Sequence, residues 1–166
     1  GPALPLLVLE RDTIDLGECL ANTRQKAAVA LHNHGTGPLD LTELRTSCTC
    51  SGASVSSDRI AAGETGELWI GVTPDKLGPG SASVTVHSNC SIRPVQVVQL
   101  EWTCVDAVEV APATVSFGEL RPGEESARDV AVLCRDAFLE SGATCRLVAV
   151  DPQDPHCRFV GTLPCD

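Results

Sequence analysis

The sequence predicts an all-β protein made of two consecutive β-sandwiches, the second of them incomplete. The chain repeats itself at an offset of 101 positions, since residues 13–18 (Thr-Ile-Asp-Leu-Gly-Glu) are matched by residues 114–119 (Thr-Val-Ser-Phe-Gly-Glu). At the same offset and with no gap, residues 29–31 are matched by residues 130–132. A period near 100 residues is too long for a solenoid and has the size of one immunoglobulin-like sandwich. We therefore expect tandem immunoglobulin-like domains.

Short strands separated by turns account for the first unit, residues 1–106. Apolar and β-branched residues fall in short runs bounded by clusters of Gly and Pro, as in the turn at residues 35–38. Helical periodicity is nearly absent from the chain. Eight segments supply the set of about seven strands that a small Greek-key sandwich requires, with 6–10 and 13–16 together forming its opening strands. The segments are 6–10, 13–16, 26–32, 39–46, 53–57, 67–73, 81–88 and 95–104.

A brief linker at residues 105–109 leads into the second unit, residues 107–166. At the repeat offset, Asp166 corresponds to Thr65, which precedes the last three strands of the first unit. The second unit is therefore predicted to be a partial sandwich. Within it, only residues 136–140 have a pattern that would form a helical turn.

Composition indicates a folded protein outside the cytoplasm. Apolar residues make up 43% of the 166 residues, which is ordinary for a globular chain. Nine cysteines are rare in cytosolic proteins, whose thiols stay reduced, and usual in secreted or periplasmic proteins. We therefore expect an extracytoplasmic location, which covers the periplasm, the cell surface and secretion.

The charge pattern argues against two classes of partner. The formal net charge is −10, and only Lys26 and Lys76 accompany ten arginines, with no basic run and few aromatic residues. Nucleic acids and anionic membrane surfaces both require clustered cations, and single strands also require aromatic platforms. No apolar stretch approaches the roughly 20 residues that span a bilayer. We expect no nucleic acid and no membrane insertion, and a protein partner or self-association instead.

Several motifs of the first unit occur in a characteristic order. They are Leu16-Gly17, His32-Asn33-His34-Gly35-Thr36-Gly37-Pro38-Leu39, Thr46-Ser47-Cys48-Thr49-Cys50-Ser51, Ala62-Gly63-Glu64, Gly78 and His87-Ser88-Asn89. In this order they resemble the bacterial family called domain of unknown function 1573, over about residues 7–104. The resemblance implies an ASH or PapD-like immunoglobulin-fold module in an exported protein whose activity is not established. The Ser-Cys-x-Cys loop is its most specific part, and the second unit has no equivalent.

Four cysteines are predicted to meet at one end of the first sandwich. Alternate connections of a Greek-key sandwich gather at the same end, which places Cys19, Cys48 and Cys50 together with Cys104. Two structural disulfides are the first interpretation. We do not expect Cys48 and Cys50 to pair with each other, since a bridge across one residue closes a strained ring and would be labile and redox-active. A thiolate site for zinc or copper(I) is a further interpretation, and free thiols are the last.

The opposite end of the sandwich receives His32, His34, His87 and Cys90. His32 and His34 are two positions apart and share a strand face, so that with His87 they would supply three imidazoles for zinc or copper. The competing interpretation is exposed histidines near strand ends. The two ends lie about 23 Å apart for strands of about seven residues, which excludes a mixed site of His34 and Cys50.

The remaining cysteines leave several pairings open. The second unit contains four of them, and local bridges of Cys134 with Cys145 and of Cys157 with Cys165 are the simplest of three connectivities. Cys90 would then remain as a free thiol or join a second molecule. The partial second sandwich would also expose strand edges that a partner strand could occupy.

The sequence favours a non-catalytic structural or protein-interaction module over an enzyme. It contains no Gly-rich phosphate loop, no dinucleotide fingerprint and no nucleophile elbow. The rival hypothesis is a thiol-based metal or redox protein that uses Cys48 and Cys50, with Cys19 and Cys104 as candidate partners. The first hypothesis requires no cofactor, and the second allows zinc or copper.

Overall fold

The structure is a computed structural model of the chain and describes residues 1–135. The described residues contain eleven strands and no helix, and so no helix long and apolar enough to cross a bilayer. The strands are β1 (Leu7–Leu9), β2 (Thr13–Leu20), β3 (Gln25–Asn33), β4 (Leu39–Thr46), β5 (Ser51–Val55), β6 (Arg59–Ile60), β7 (Thr65–Val72), β8 (Gly78–Ser88), β9 (Val95–Val105), β10 (Val108–Ala111) and β11 (Ala131–Cys134). The chain divides into two compact units after Asp106, and β1 to β9 belong to the first unit.

Two sheets form the first unit. One has the strand order β1-β3-β7-β5 and the other has the order β2-β9-β8-β4-β6. The N-terminal segment contributes β1 to one sheet and β2 to the other, and β2 runs parallel to β9 while the other pairs are antiparallel. This strand order is that of an immunoglobulin-like sandwich, which confirms the predicted all-β class.

The core lies between the two sheets because their strands alternate in burial. In β9, every second residue from Val98 to Cys104 is buried and the residues between them are exposed. On the facing sheet, Leu31 of β3 and Leu68 of β7 are fully buried. Each such side chain contributes roughly 1.5–3 kcal/mol through its removal from water.

A bulge in β2 decides which of its side chains reach the core. Asp15 pairs with Glu101 and Glu18 with Thr103, so β2 uses one residue more than β9 over this stretch. Gly17 has a φ of 66°, which glycine adopts without steric cost, and its N–H donates to Asp15 Oδ1 at 2.8 Å. Because the extra residue shifts the alternation, Cys19 is buried where strict alternation from Ile14 would have buried Glu18.

The strand predictions were largely correct, but the count was too low. The segment predicted at residues 39–46 coincides with β4, and the other segments shift at their ends by a few residues. Strand β6 was not predicted, since two residues are too few to show a period of two. The predicted linker is shorter in the structure, where Asp106 and Ala107 alone separate β9 from β10.

Strand pairing in the described part of the second unit repeats that of the first unit. β10 pairs with β11 so that Val108 lies opposite Cys134. At the offset of 101 positions this corresponds to Leu7 opposite Asn33 in the pairing of β1 with β3. The register of the two pairs is therefore the same.

Backbone conformation repeats at the same offset. Gly17 and Gly118 have φ angles of 66° and 69°, and Asn22 and Gly123 have φ angles of 58° and 84°. The start of the second unit thus shares local geometry with the first. That it continues as a partial sandwich stays a prediction, because this sandwich and the helical turn predicted at 136–140 involve residues outside the described part of the chain.

Candidate functional site

The Ser-Cys-x-Cys loop connects β4 to β5 at one end of the first unit and contains a disulfide. Cys48 and Cys50 are bonded to each other, with their Cα atoms 5.2 Å apart, and both are half-buried beside the exposed Thr49. Thr73 N–H donates to Cys50 O at 2.9 Å, and Ser51 Oγ donates to Cys48 O at 3.1 Å. The expectation that these cysteines do not pair with each other was wrong, because the tight turn from β4 in one sheet to β5 in the other brings their side chains together.

Cys19 and Cys104 lie at the same end of the first unit, but inside the core. They are directly opposite each other on the parallel strands β2 and β9, each 2% exposed, and both thiols are free in the structure. Burial raises the pKa of both thiols, and the neighbouring Cys104 raises that of Cys19 further. Two structural disulfides were expected among these four cysteines, whereas the structure contains one disulfide and one pair of buried thiols.

The histidines at the opposite end do not form one cluster. The rings of His32 and His34 are 5.6 Å apart, and His32 Nδ1 lies 2.9 Å from Thr65 Oγ1. His87 belongs to the other sheet, where its Nε2 lies 4.0 Å from Glu43 Oε2.

No group of three or more His, Cys, Asp or Glu side chains in residues 1–135 is arranged to hold a metal ion. The structure therefore does not assemble the three-imidazole site that the sequence left open for His32, His34 and His87 as the alternative to exposed histidines near strand ends. Nor does it assemble the thiolate site around Cys48 and Cys50, because those two sulfur atoms are bonded to each other.

Cys90 lies in the connection between β8 and β9 and is fully buried with a free thiol. Burial alone raises the pKa of this thiol, but hydrogen bonds from the backbone of Arg93, Leu7 and Ile92 lower it overall. A disulfide from Cys90 to a second molecule, which the sequence left open, would require this connection to open.

The cysteines of the second unit are only partly described. Cys134 is half-buried in β11, at the position that Asn33 occupies in the first unit. Cys145, Cys157 and Cys165 lie outside the described residues, so the two local bridges stay predictions.

The structure shows a cleft on the outer face of the four-stranded sheet that the sequence did not predict. The cleft has a volume of about 680 Å³ and is lined by residues of β3, β5 and β7 together with Arg24. Trp69 of β7 lies between Ala28 and Ser54 on the neighbouring strands, and beside these small residues Trp69 is 46% exposed. The indole Nε1 donates to Glu67 Oε2 at 3.1 Å, which orients the ring.

Two cations border this indole. Lys26 lies opposite Gly71, two residues beyond Trp69 on the same face of the sheet. The Arg24 guanidinium lies against Gly71, where a Cβ atom would collide with it, and this cover explains why Gly71 is buried on an outer face. An exposed aromatic ring beside arginine is a frequent combination in protein interfaces.

The strand order of the first unit defines an immunoglobulin-like fold. The first unit is similar to the ASH/PapD-like domain 7 of human CEP192, with a TM-score of 0.50 and 14% identity over 61% of this chain and 86% of that chain. It is also similar to a protein of unknown function from Porphyromonas gingivalis W83, with a TM-score of 0.55 and 21% identity over 61% of this chain. The matched region spans about half of that protein, 47% of its length. At these identities the likeness shows the fold alone.

The chain belongs to the family DUF1573, described as protein of unknown function, whose model matches residues 7–101. The match confirms the resemblance found in the motifs of the first unit. A comparison with curated proteins gave no significant match.

Proposed function

We propose that the chain is an exported, non-catalytic protein-interaction module whose first unit binds an extended acidic segment of a partner protein across the cleft at Trp69. One observation carries this proposal: an exposed indole lies beside Arg24 and Lys26 on the surface of a protein with a net charge of −10. Carboxylates are the ligands that arginine recognises best, and the two cations outnumber the one carboxylate at the indole, that of Glu67, so that acidic segments complement the local charge.

The Trp69 indole and the two cations would contribute to binding in different ways. Covering the exposed part of the Trp69 indole would contribute about 2 kcal/mol, because a tryptophan side chain presents about 200 Å² of surface. Exposed ion pairs with Arg24 or Lys26 would each contribute at most about 1 kcal/mol, and they set specificity and association rate instead. We therefore assign affinity to the indole and charge selectivity to the two cations.

The sheet edge supports an extended ligand. β5 is an edge strand of the four-stranded sheet and lines the same cleft. The backbone groups on the outer side of an edge strand are available for pairing with an added strand. Export is supported by the nine cysteines and by the Cys48–Cys50 disulfide, which suit an oxidising compartment.

A labelled peptide of alternating glutamate and valine, blocked at both ends, tests this proposal. We expect saturable binding by fluorescence polarisation at low salt, weakened at least about tenfold by Trp69→Ala, which corresponds to about 1.4 kcal/mol. Arg24→Gln should weaken binding less and reduce its dependence on salt, because it removes a charge and leaves the indole in place.

A matched variant separates the cleft from general stickiness. Leu77→Ala removes another exposed apolar side chain, 59% exposed in the connection between β7 and β8, and should leave binding unchanged. The same peptide with lysine in place of glutamate should not bind. Equal binding of the lysine peptide, or an equal loss in the Leu77 variant, would contradict the proposal.

A second candidate function is thiol–disulfide exchange at Cys48 and Cys50, which the disulfide in the loop favours. A partner dithiol would transfer two electrons to this bond, become a disulfide itself, and leave Cys48 and Cys50 as thiols. Because a single residue separates the cysteines, the bridge closes a small ring, and strained rings are reduced more readily.

Equilibration with glutathione, followed by alkylation and mass spectrometry, tests the exchange function. If Cys48 and Cys50 exchange with partner thiols, they will become alkylated in glutathione buffers with a redox potential of about −200 mV. Structural disulfides resist reduction until the potential reaches about −300 mV. The Cys48→Ser/Cys50→Ser variant provides the baseline for the other cysteines. A bond that survives to about −300 mV would identify the Cys48–Cys50 bridge as structural.

A further inference from the structure

Two buried thiols face each other across β2 and β9 in the first unit. Cys19 and Cys104 are Cα partners in the parallel ladder, and both belong to the buried core. Neighbouring strands lie about 4.8 Å apart, which is within the range of about 4.4–6.8 Å that disulfides span between Cα atoms. The backbone of the folded unit is therefore compatible with a bridge between these two residues.

The bulge at Gly17 creates this arrangement. If these same residues formed a regular strand without a bulge, Cys19 would lie on the outer face of β2 and its thiol would be directed away from Cys104. The hydrogen bonds of Cys19 Sγ to Leu16 O and Gly17 O are long contacts of 3.7 Å and 3.9 Å. Contacts of this length compete weakly with a covalent bond.

We propose that Cys19 and Cys104 form a disulfide when the first unit folds in an oxidising compartment. The oxidant is an external disulfide of the glutathione class. One cysteine thiolate attacks this disulfide and releases the first glutathione thiolate, and the other cysteine then displaces the second. The two protein thiols lose two protons and two electrons in total, and the glutathione disulfide becomes two thiols.

We expect the oxidation of Cys19 and Cys104 to take place during folding, before the two thiols become buried in the core. Both thiols are almost fully buried, and burial raises the pKa of each, so few thiolates exist in the folded, reduced unit near neutral pH. A folded and reduced unit should therefore oxidise slowly. A unit that folds in the presence of the oxidant forms the bridge while both sulfur atoms are still accessible.

The position of the bridge gives it a structural effect. β2 is an edge strand and pairs with β9 alone in its sheet. The bond would close a loop that contains most of the first unit, and a crosslink over a long loop restricts the unfolded chain strongly. The bridge would also join β2, near the start of the first unit, to β9, which ends one residue before Asp106, the last residue of that unit.

Peptide mapping under non-reducing conditions tests the pairing directly. The full chain is reduced, refolded with and without glutathione disulfide, alkylated, and digested with trypsin and a glutamate-specific protease. This digestion separates Cys19 in residues 19–24, Cys104 in residues 102–109 and Cys90 in residues 77–101. We expect linked peptides 19–24 and 102–109 after oxidative refolding and none after refolding in reductant.

Thermal unfolding supplies the second readout. Oxidative refolding should raise the melting temperature of the first unit by about 10 °C, and Cys19→Ala should remove this increment. The Cys48→Ser/Cys50→Ser variant should keep the increment, which separates this bridge from the one in the loop. Cys90→Ala is the matched control for loss of a buried thiol and should keep it as well.

Three results would overturn the proposal. The first is alkylation of both Cys19 and Cys104 after oxidative refolding and denaturation. The second is a disulfide from either of them to another cysteine. The third is a melting-temperature increment that persists in the Cys19→Ala variant. These outcomes do not depend on peptide binding at Trp69 and therefore leave the proposed interaction function untouched.

Discussion

Replacing Asn33 by leucine is expected to lower the free energy of unfolding of the first unit by more than about 3 kcal/mol. Asn33 is completely buried, and its Oδ1 accepts hydrogen bonds from Leu6 N–H at 3.2 Å and Gly35 N–H at 3.0 Å. Its Nδ2 donates to Gly37 O at 2.8 Å and Ile60 O at 3.0 Å. Leucine has a similar volume but satisfies none of these four backbone groups, and each unsatisfied buried group costs roughly 1–3 kcal/mol.

Urea unfolding followed through the emission of the buried Trp102 measures this effect. His34→Ala is the matched control, since His34 is an exposed neighbour whose side chain lies outside this network, and its change should stay within about 0.5 kcal/mol. A loss below about 1 kcal/mol for Asn33→Leu would show that water or rearranged backbone replaces the four bonds.

The Asn33 network joins three segments that are distant in the sequence. It holds the segment before β1, the connection from β3 to β4, and β6. Cys134 occupies the equivalent position in the second unit, and a thiol cannot supply two strong donors and two strong acceptors. The second unit therefore has the same strand register at this position, but the Cys134 side chain cannot repeat the four bonds of Asn33.

The all-β class and most strands could be predicted because alternating burial is encoded locally. β4 coincided with its prediction, and the sequence repeat at 101 positions is consistent with the matching register of β1 with β3 and of β10 with β11. The bulge in β2 could not be derived, since Gly17 in a strand is consistent with a bulge, a bend or a plain extended residue. That single position determined whether Cys19 or Glu18 entered the core.

The candidate sites were harder to predict because they depend on which strands become neighbours. The sequence placed the cysteines at the correct end of the sandwich but favoured bridges between distant strands over the local Cys48–Cys50 bond. The cleft depends on Lys26 and Trp69, which are far apart in the chain and meet only through the register of β3 with β7. A period of two predicts the face on which a residue lies, but it does not predict its cross-strand neighbour.

Replacing Gly80 by alanine is expected to lower the free energy of unfolding by about 2 kcal/mol. Gly80 lies opposite Trp102 in the pairing of β8 with β9, and a Cβ atom at Gly80 would collide with the indole at Nε1. Trp102 is 8% exposed and belongs to the core, so the ring can move only by displacing other core side chains. Overpacking of this kind costs about 1–3 kcal/mol. This exceeds the roughly 0.5–1 kcal/mol by which alanine stabilises a protein relative to glycine through the lower conformational entropy of the unfolded chain.

Gly52→Ala provides the matched control for the loss of a strand glycine. Nothing lies within 4 Å of a Cβ atom built at Gly52, so this variant should be unchanged or stabilised by up to about 1 kcal/mol. Combining Gly80→Ala with Trp102→Val should remove the cost at Gly80, because the smaller side chain leaves room for the new methyl group. If the cost of Gly80→Ala persists in that combination, its cause is the backbone of β8 and not the contact with the indole.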